Sequence, residues 1–390
     1  MPNFDTPINR IGTNSLKWDM MEARYGVSPK DGLAMWVADM DFEAAPVIRE
    51  ALQNMVNGGI YAYPGADDAY RGAIQWWMQT RHGWTVDPGD IFTTAGVVNG
   101  VGMCLHAFTE PGDGIVLTTP VYHAFASTIT AAGREVTECA LTNNAGHYEM
   151  DFERWETELT GRETMFVLCS PHNPGGRVWT REELEGVVDF CAKHDLILVS
   201  DEIHHDLTMP GQTHIPMANI EGAAERLIML SAATKTFNIA GGQTGNAIIS
   251  NPKLRARFAK AVAGIGLNAN SFGLTLTRAA YSPEGAEWVD ALRGYIDGNR
   301  KAFDAGIAAI PGLKSMALEA TYLSWVDFSD TGMEPAEMNA RVAKEARIAA
   351  NHGATFGKGG ETFLRFNLAT QRARIEEAVT RLQKAFADLQ

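Results

Sequence analysis

Cysteine is scarce in this chain, with four residues in 390, at positions 104, 139, 169 and 191, and no CxxC pair among them. A disulfide framework and a cysteine zinc site are therefore not suggested. Histidine supplies no metal motif either. Of ten, His204 and His205 are adjacent, but the HExxH spacing is missing, and no metal is assigned. No apolar run reaches the roughly 18 residues that a membrane span needs, and the opening MPNFDTPINR has no basic segment followed by an apolar core. The expected location is the cytoplasm, with no membrane partner. Clusters of Lys and Arg are also missing from a chain of formal charge −14, so nothing stands ready to neutralise phosphates and nucleic acid is not an expected partner. The acidic balance serves solubility. Repeats, low-complexity tracts and flexible linkers are absent too, so any domains should share a firm interface.

What is present is a globular composition, 45% hydrophobic and 21% charged, long enough to bury a large core and to divide into more than one domain. Apolar runs read as strands at Ile91–Thr93, Ile115–Thr118, Met165–Cys169, Leu196–Ser200 and Leu227–Leu230, with Asn246–Ser250 as an antiparallel addition. Helical patterns alternate with them: Pro46 to Gly58, Ala66 to Arg81, a glycine turn opening a helix through Phe108, and a helix begun by the capping box of Thr180 and Glu183. Strands alternating with helices indicate a mostly parallel sheet covered on both faces, an α/β architecture. After Pro252 the pattern turns helical, with one long helix from Pro283 to Ile310 interrupted near Gly298. Strands at 313–318, 322–326 and 363–368, a helix from Pro335 to Asn351 and a closing helix from Arg372 then form a smaller unit. The expected division is 45–284 for the large domain, with 1–44 and 285–390 forming the small one.

Three of the buried strands end in polar groups. Met165–Cys169 runs into Asn173, Leu196–Ser200 into Asp201, and Leu227–Leu230 into SAATKTFNIAGG, with Lys235 at its centre. Ligands of open parallel sheets bind beyond the carboxyl ends of the strands, so these three side chains should converge on one crevice. Ahead of them, Gly96, Val97 and Val98 stand where a strand turns through glycine into a helix, an arrangement that presents free N–H groups to an anion. Arg365 sits inside the apolar run 363–368, where an unpaired guanidinium is costly. It should face a carboxylate, either a structural one or that of a bound amino acid.

Five segments in order, MWVADMDF (35–42), SPHNPGGRVW (170–179), SDEIHHDL (200–207), TKTFNIAG (234–241) and FLRFNLAT (363–370), resemble the fold-type-I pyridoxal-phosphate enzymes of the aspartate aminotransferase superfamily. They are most similar to its cystathionine beta-lyase, or carbon-sulfur lyase, branch, which includes a maltose-regulon modulator. The resemblance runs from about residue 30 to the C-terminus. It implies that Lys235 joins the aldehyde of pyridoxal 5'-phosphate, Asp201 faces the pyridine nitrogen, Asn173 donates to the ring's phenolic oxygen and Tyr122 lies over the ring. His204 stands where many relatives have a Tyr. Gly96, Val97 and Val98 would hold the phosphate. The superfamily often has an Arg eight residues after the lysine, and here that place holds Gln243, so hydroxyls such as Ser231 and Thr234 should carry more of the phosphate. The resemblance also assigns Arg365 to the substrate carboxylate, with the backbone near Ala38 facing the same group, and places Tyr63 at the phosphate of a second copy, making the enzyme a homodimer. The implied activity is cleavage of cystathionine or a related cysteine thioether to pyruvate, ammonia and a thiol. Transamination of an amino acid uses the same residues and stays open, as does a regulator that binds the cofactor and a transcription factor.

Overall fold

The computed structural model describes residues 2–65 and 67–389. A seven-stranded sheet forms its centre: β1 (Ile91–Thr94), β2 (Gly114–Leu117), β3 (Glu135–Glu138), β4 (Glu163–Cys169), β5 (Ile197–Asp201), β6 (Leu227–Ser231) and β7 (Gly245–Ile248). Their spatial order is β1-β7-β6-β5-β4-β2-β3. Every neighbouring pair is parallel except the two that β7 makes. The central strands β4, β5 and β6 are buried along almost their whole length, which is why they read as continuous apolar runs and not as alternating ones.

Helices cover both faces. On one side lie α1 (Pro46–Gly58) and α2 (Asp68–His82), the latter packing Trp77 into the larger core cluster. The pattern's first helical residue, Ala66, lies outside the described residues. On the other side α3 (Val97–Phe108) lies against Leu230, where Gly100 has no side chain to keep the two apart. α4 (Arg181–Lys193) starts with the foreseen capping box, Glu183 N–H donating to Thr180 Oγ1 at 3.2 Å. α5 (Pro252–Ile265) completes the second face with Phe258 fully buried. No described helix is long and apolar enough to cross a membrane.

The long helix α6 spans Pro283–Ala308 without interruption. Gly298 is a notch rather than a break: a Cβ there would stand 2.5 Å from Arg372 Nη2, so the bare Cα admits that guanidinium. Beyond α6 a four-stranded antiparallel sheet, β8 (Lys314–Ser315), β9 (Leu323–Asp327), β10 (Asn351–His352) and β11 (Phe363–Asn367), is ordered β8-β9-β11-β10, and α7 (Arg372–Ala385) packs along α6. Two expectations here fail. The strand expected at 313–318 has only two residues, and the helix from Pro335 stops at Ala340, turns once more through Arg341–Glu345, and gives way to extended chain. Arg347 turns the chain at φ 53°, after which Ile348–Ala349 pairs in parallel with Leu33–Ala34. Burial of that pair against the N-terminal segment overrides the helical pattern.

Candidate active site

β4, β5 and β6 deliver their ends to a cavity of about 180 Å³, lined by Asn173, Asp201, His204, Thr234, Lys235, Tyr122 and the turn at Gly96–Val98. Register explains the convergence: Cys169 stands opposite Asp201 and Asp201 opposite Leu230, so the three strands finish level.

Asp201 is 4% exposed and accepts one hydrogen bond, from Ile203 N–H at 3.0 Å. Burial therefore dominates and pushes its carboxyl up to about 7. Lys235 Nζ donates to the Ala38 carbonyl at 2.6 Å. Burial first, and then the positive charge of Arg365, press its amine down to about 8, so an appreciable fraction is neutral and nucleophilic near pH 7. The Ala38 carbonyl also accepts from Tyr322 Oη at 2.9 Å. Asn367 Nδ2 fixes the same segment by donating to Val37 O and Asp39 O, both at 2.6 Å.

Arg365 projects from the middle of β11 and is 2% exposed. It donates to Asn173 Oδ1 and to Trp36 O, both at 2.9 Å, while its Nε has no partner among the described residues. Among the described residues no carboxylate pairs with it, and burial lowers its pKa to about 10. The structural carboxylate considered for it is thus absent. It opens instead into a second cavity of about 330 Å³ that shares Ala38, Tyr122 and Lys235 with the first.

α3 begins without a side-chain cap, its Gly96 at φ 99°, which leaves the first N–H groups of the helix facing the cavity. His204 is buried beside Lys235 and Arg365 and is held neutral, pushed well below its usual range by burial first; its Nδ1 has no partner among the described residues.

The structure gathers every expected residue at these two cavities except two. Ser231 is fully buried with a hydroxyl that has no partner among the described residues, and it does not line the cavity. Alternation explains this: Ser231 shares a side of β6 with Met229 and Leu227, in the core opposite to the one where Leu230 meets α3. Tyr63 is 98% exposed in the loop between α1 and α2 and reaches neither cavity of its own chain. Sequence reasoning missed Asn99 and Thr244 in the first cavity, and Arg24, Tyr25, His123 and Asn351 in the second. Asn99 sits one residue beyond the glycine turn and was within reach of that motif. The others come from segments with no periodic or motif signal.

Comparison with known proteins agrees with this geometry. The family described as aminotransferase class I and II matches residues 31–382. The chain belongs to the aminotransferase class I and II family. Within it, the chain is 40% identical to cystathionine beta-lyase PatB of Bacillus subtilis over 99% of its own length and 100% of PatB's. It is 33% identical to protein MalY of Escherichia coli over 99% of each. The crystal structure of cystalysin from Treponema denticola, which contains pyridoxal 5'-phosphate, superposes with a TM-score of 0.95 at 37% identity, covering all of both chains.

The residues of this family member fit that cofactor. Asp201 is a buried carboxylate short of a donor, and a protonated pyridine nitrogen is one. Asn173 spends its Oδ1 on Arg365, and its Nδ2 makes no hydrogen bond among the described residues, so that group is left to donate to a ring oxygen. The uncapped start of α3 suits a phosphate, and the lowered pKa of Lys235 suits an aldehyde.

Proposed function

We propose that the chain is a pyridoxal-phosphate-dependent carbon-sulfur β-lyase that cleaves cystathionine or a related cysteine thioether to pyruvate, ammonia and a thiol. The observation that carries this reading is Arg365, a buried guanidinium with no carboxylate of its own, opening into a cavity that ends at Lys235. The names of the relatives support the same reaction, since PatB is a cystathionine beta-lyase.

When bound, the cofactor supplies an electron-accepting ring that stabilises negative charge at the substrate α-carbon. Arg365 holds the α-carboxylate with its two outer nitrogens, and Asn173, already bonded to Arg365, orients that grip. The Ala38 N–H, which donates to nothing among the described residues, faces the same carboxylate. Lys235, released from the Ala38 carbonyl, takes the α-proton as a neutral amine, and His204, whose basicity burial holds well below the usual range, is too weak a base to compete for it. Asp201 keeps a proton on the ring nitrogen. Tyr122, which lines both cavities, would lie over the cofactor's ring as an offset aromatic neighbour. Thr234, with Gly96, Val97 and Val98 in the same cavity, would hold the cofactor's phosphate.

The active unit is a homodimer in the cytoplasm, with Tyr63 of one copy completing the phosphate site of the other. Exposure of Ile60, Tyr61 and Tyr63 on one loop supports this, because such a patch is covered in most soluble proteins. The division into a large domain of 45–284 and a small one of 1–44 with 285–390 belongs to the same reading. It is supported by the pairing of Leu33–Ala34 with Ile348–Ala349, which binds the N-terminal segment to the C-terminal sheet region.

Incubating the cofactor-loaded protein with cystathionine and no keto acid distinguishes elimination from transamination. Pyruvate, ammonia and free thiol in equal amounts are expected. Product that appears only when a keto acid is added, matched by its conversion to an amino acid, would make the chain an aminotransferase.

A further inference from the structure

A second concentration of ionisable side chains lies in a cavity that shares no residue with the one around Lys235. α2 ends at His82, and the loop after β5 carries His205 and Asp206, so 124 positions separate His82 from the aspartate it meets. His82 Nε2 stands 2.8 Å from Asp206 Oδ1, and His205 Nε2 stands 3.1 Å from Oδ2 of the same carboxylate. The two imidazoles face each other at 4.4 Å between centroids. One ligand atom from each of the three residues falls within 4.8 Å of the other two.

His205 gives the cluster its meaning. It is 2% exposed, its Nδ1 has no partner among the described residues, and its Nε2 has only the 3.1 Å approach to Asp206, which lacks hydrogen-bond geometry. A buried imidazole so poorly supplied is costly, and such a group in a native protein calls for an explanation. Asp206, by contrast, is oriented from behind: Trp77 Nε1 donates to Oδ1 and Thr236 Oγ1 to Oδ2, both at 2.9 Å. Outer partners of this kind are what fix a ligating carboxylate.

We propose that His82, His205 and Asp206 bind one divalent transition-metal ion of the zinc class, with water as the fourth ligand. Bonds of about 2.0 Å in a tetrahedron set neighbouring ligand atoms roughly 3.3 Å apart. The two imidazoles address different oxygens of Asp206, and one ligand atom from each residue lies within 4.8 Å of the others, so the three close on an ion by shifts of at most about 1.5 Å. Two imidazoles and a carboxylate favour zinc, copper or nickel over magnesium or calcium. The cavity beside the cluster, about 380 Å³ and also lined by Arg81, Asp290 and Arg293, has room for the water. Its two guanidinium groups do not repel the ion unopposed. Arg81 pairs with both oxygens of Asp290 at 2.6 and 3.0 Å, and Arg293 bonds Thr208 and lies 3.5 Å from Asp290. His214 is nearby, but its Nε2 is committed to Glu202 at 2.8 Å. The ion acts as a brace. It joins the end of α2 to the loop after β5 and, through Asp206, to Thr236, the residue next to Lys235.

The test is zinc retention by the cofactor-loaded enzyme after chelator treatment, reloading with zinc(II) and gel filtration, with affinity from calorimetry. One zinc per chain is expected, and His82→Gln and His205→Gln should each weaken binding at least about 100-fold while the cofactor's absorbance spectrum stays native. X-ray absorption of the zinc-loaded wild type should show only nitrogen and oxygen neighbours near about 2.0 Å with imidazole scattering beyond them, which decides the matter even where a variant fails to fold. No retained zinc, retention equal in wild type and both variants, or a sulfur shell near about 2.3 Å would overturn the site. These readouts do not depend on which reaction Lys235 serves.

Discussion

Asp41 and Asp201 are both almost fully buried carboxylates, at 1% and 4% exposure, and they are supplied in opposite ways. Asp41 accepts from Trp18 Nε1 and Arg10 at 2.9 Å and from Lys17 at 3.0 Å, and Arg374 stands 3.3 Å away. Although burial works against ionisation, these partners together hold its pKa down to about 2. Asp201 has one backbone donor and rises to about 7. The arginines repeat the contrast. Arg177 and Arg365 are each 2% exposed, but Arg177 bonds Glu183 at 2.8 Å and Glu319 at 3.1 Å, whereas Arg365 meets no carboxylate among the described residues. Groups paired within the chain hold the fold together. Groups left short of a partner mark where a ligand is to supply one.

Breaking the paired side should cost the most. Asp41→Ala leaves Lys17, Arg10 and Arg374 facing each other without their shared anion, and is expected to destabilise the protein by about 3–5 kcal/mol in urea unfolding. A loss under about 1 kcal/mol would mean that the network is incidental.

Asp201 should behave in the reverse sense. Its folded pKa lies above the unfolded value, so the stability tied to its protonated form is complete below about pH 4 and is lost as pH rises through about 7. Cofactor-free Asp201→Asn, which cannot ionise, should therefore be more stable than cofactor-free wild type by roughly 3–4 kcal/mol at pH 8, and no more stable near pH 4. A gap that does not change with pH would contradict this.

The smallest effect sharpens the arginine pair. Arg365→Leu is expected to raise KM for α-amino acids by about 10- to 100-fold, the loss of one charged hydrogen-bonded contact, with a native cofactor spectrum. Arg177→Leu should weaken folding without that selective change in KM. An Arg365→Leu protein that cannot fold or hold cofactor would move Arg365 to the structural side.

The sheet and most of the site were legible in the sequence because parallel strands buried on both faces leave continuous apolar runs whose ends are polar. Lys235, Asp201 and Asn173 were readable for that reason. β3 was not foreseen: its sequence, EVTE, lies at the sheet edge with three of four residues partly or wholly exposed, so it leaves no apolar run. Ser231 was placed by its neighbourhood in the chain, and the alternation of β6 turned it away from the cavity. Arg24, Tyr25 and Asn351 reach the second cavity only through tertiary packing, as His82 reaches Asp206, and no spacing in the chain encodes such meetings.

The contrast between supplied and unsupplied groups predicts where a ligand becomes covalently attached. Reducing the pyridoxal-phosphate-loaded protein with borohydride and mapping its peptides should find the label on Lys235 alone, and Lys235→Ala should carry none. Label on another lysine, or a Lys235→Ala protein labelled as fully as wild type, would contradict the assignment of this cavity as the cofactor's site.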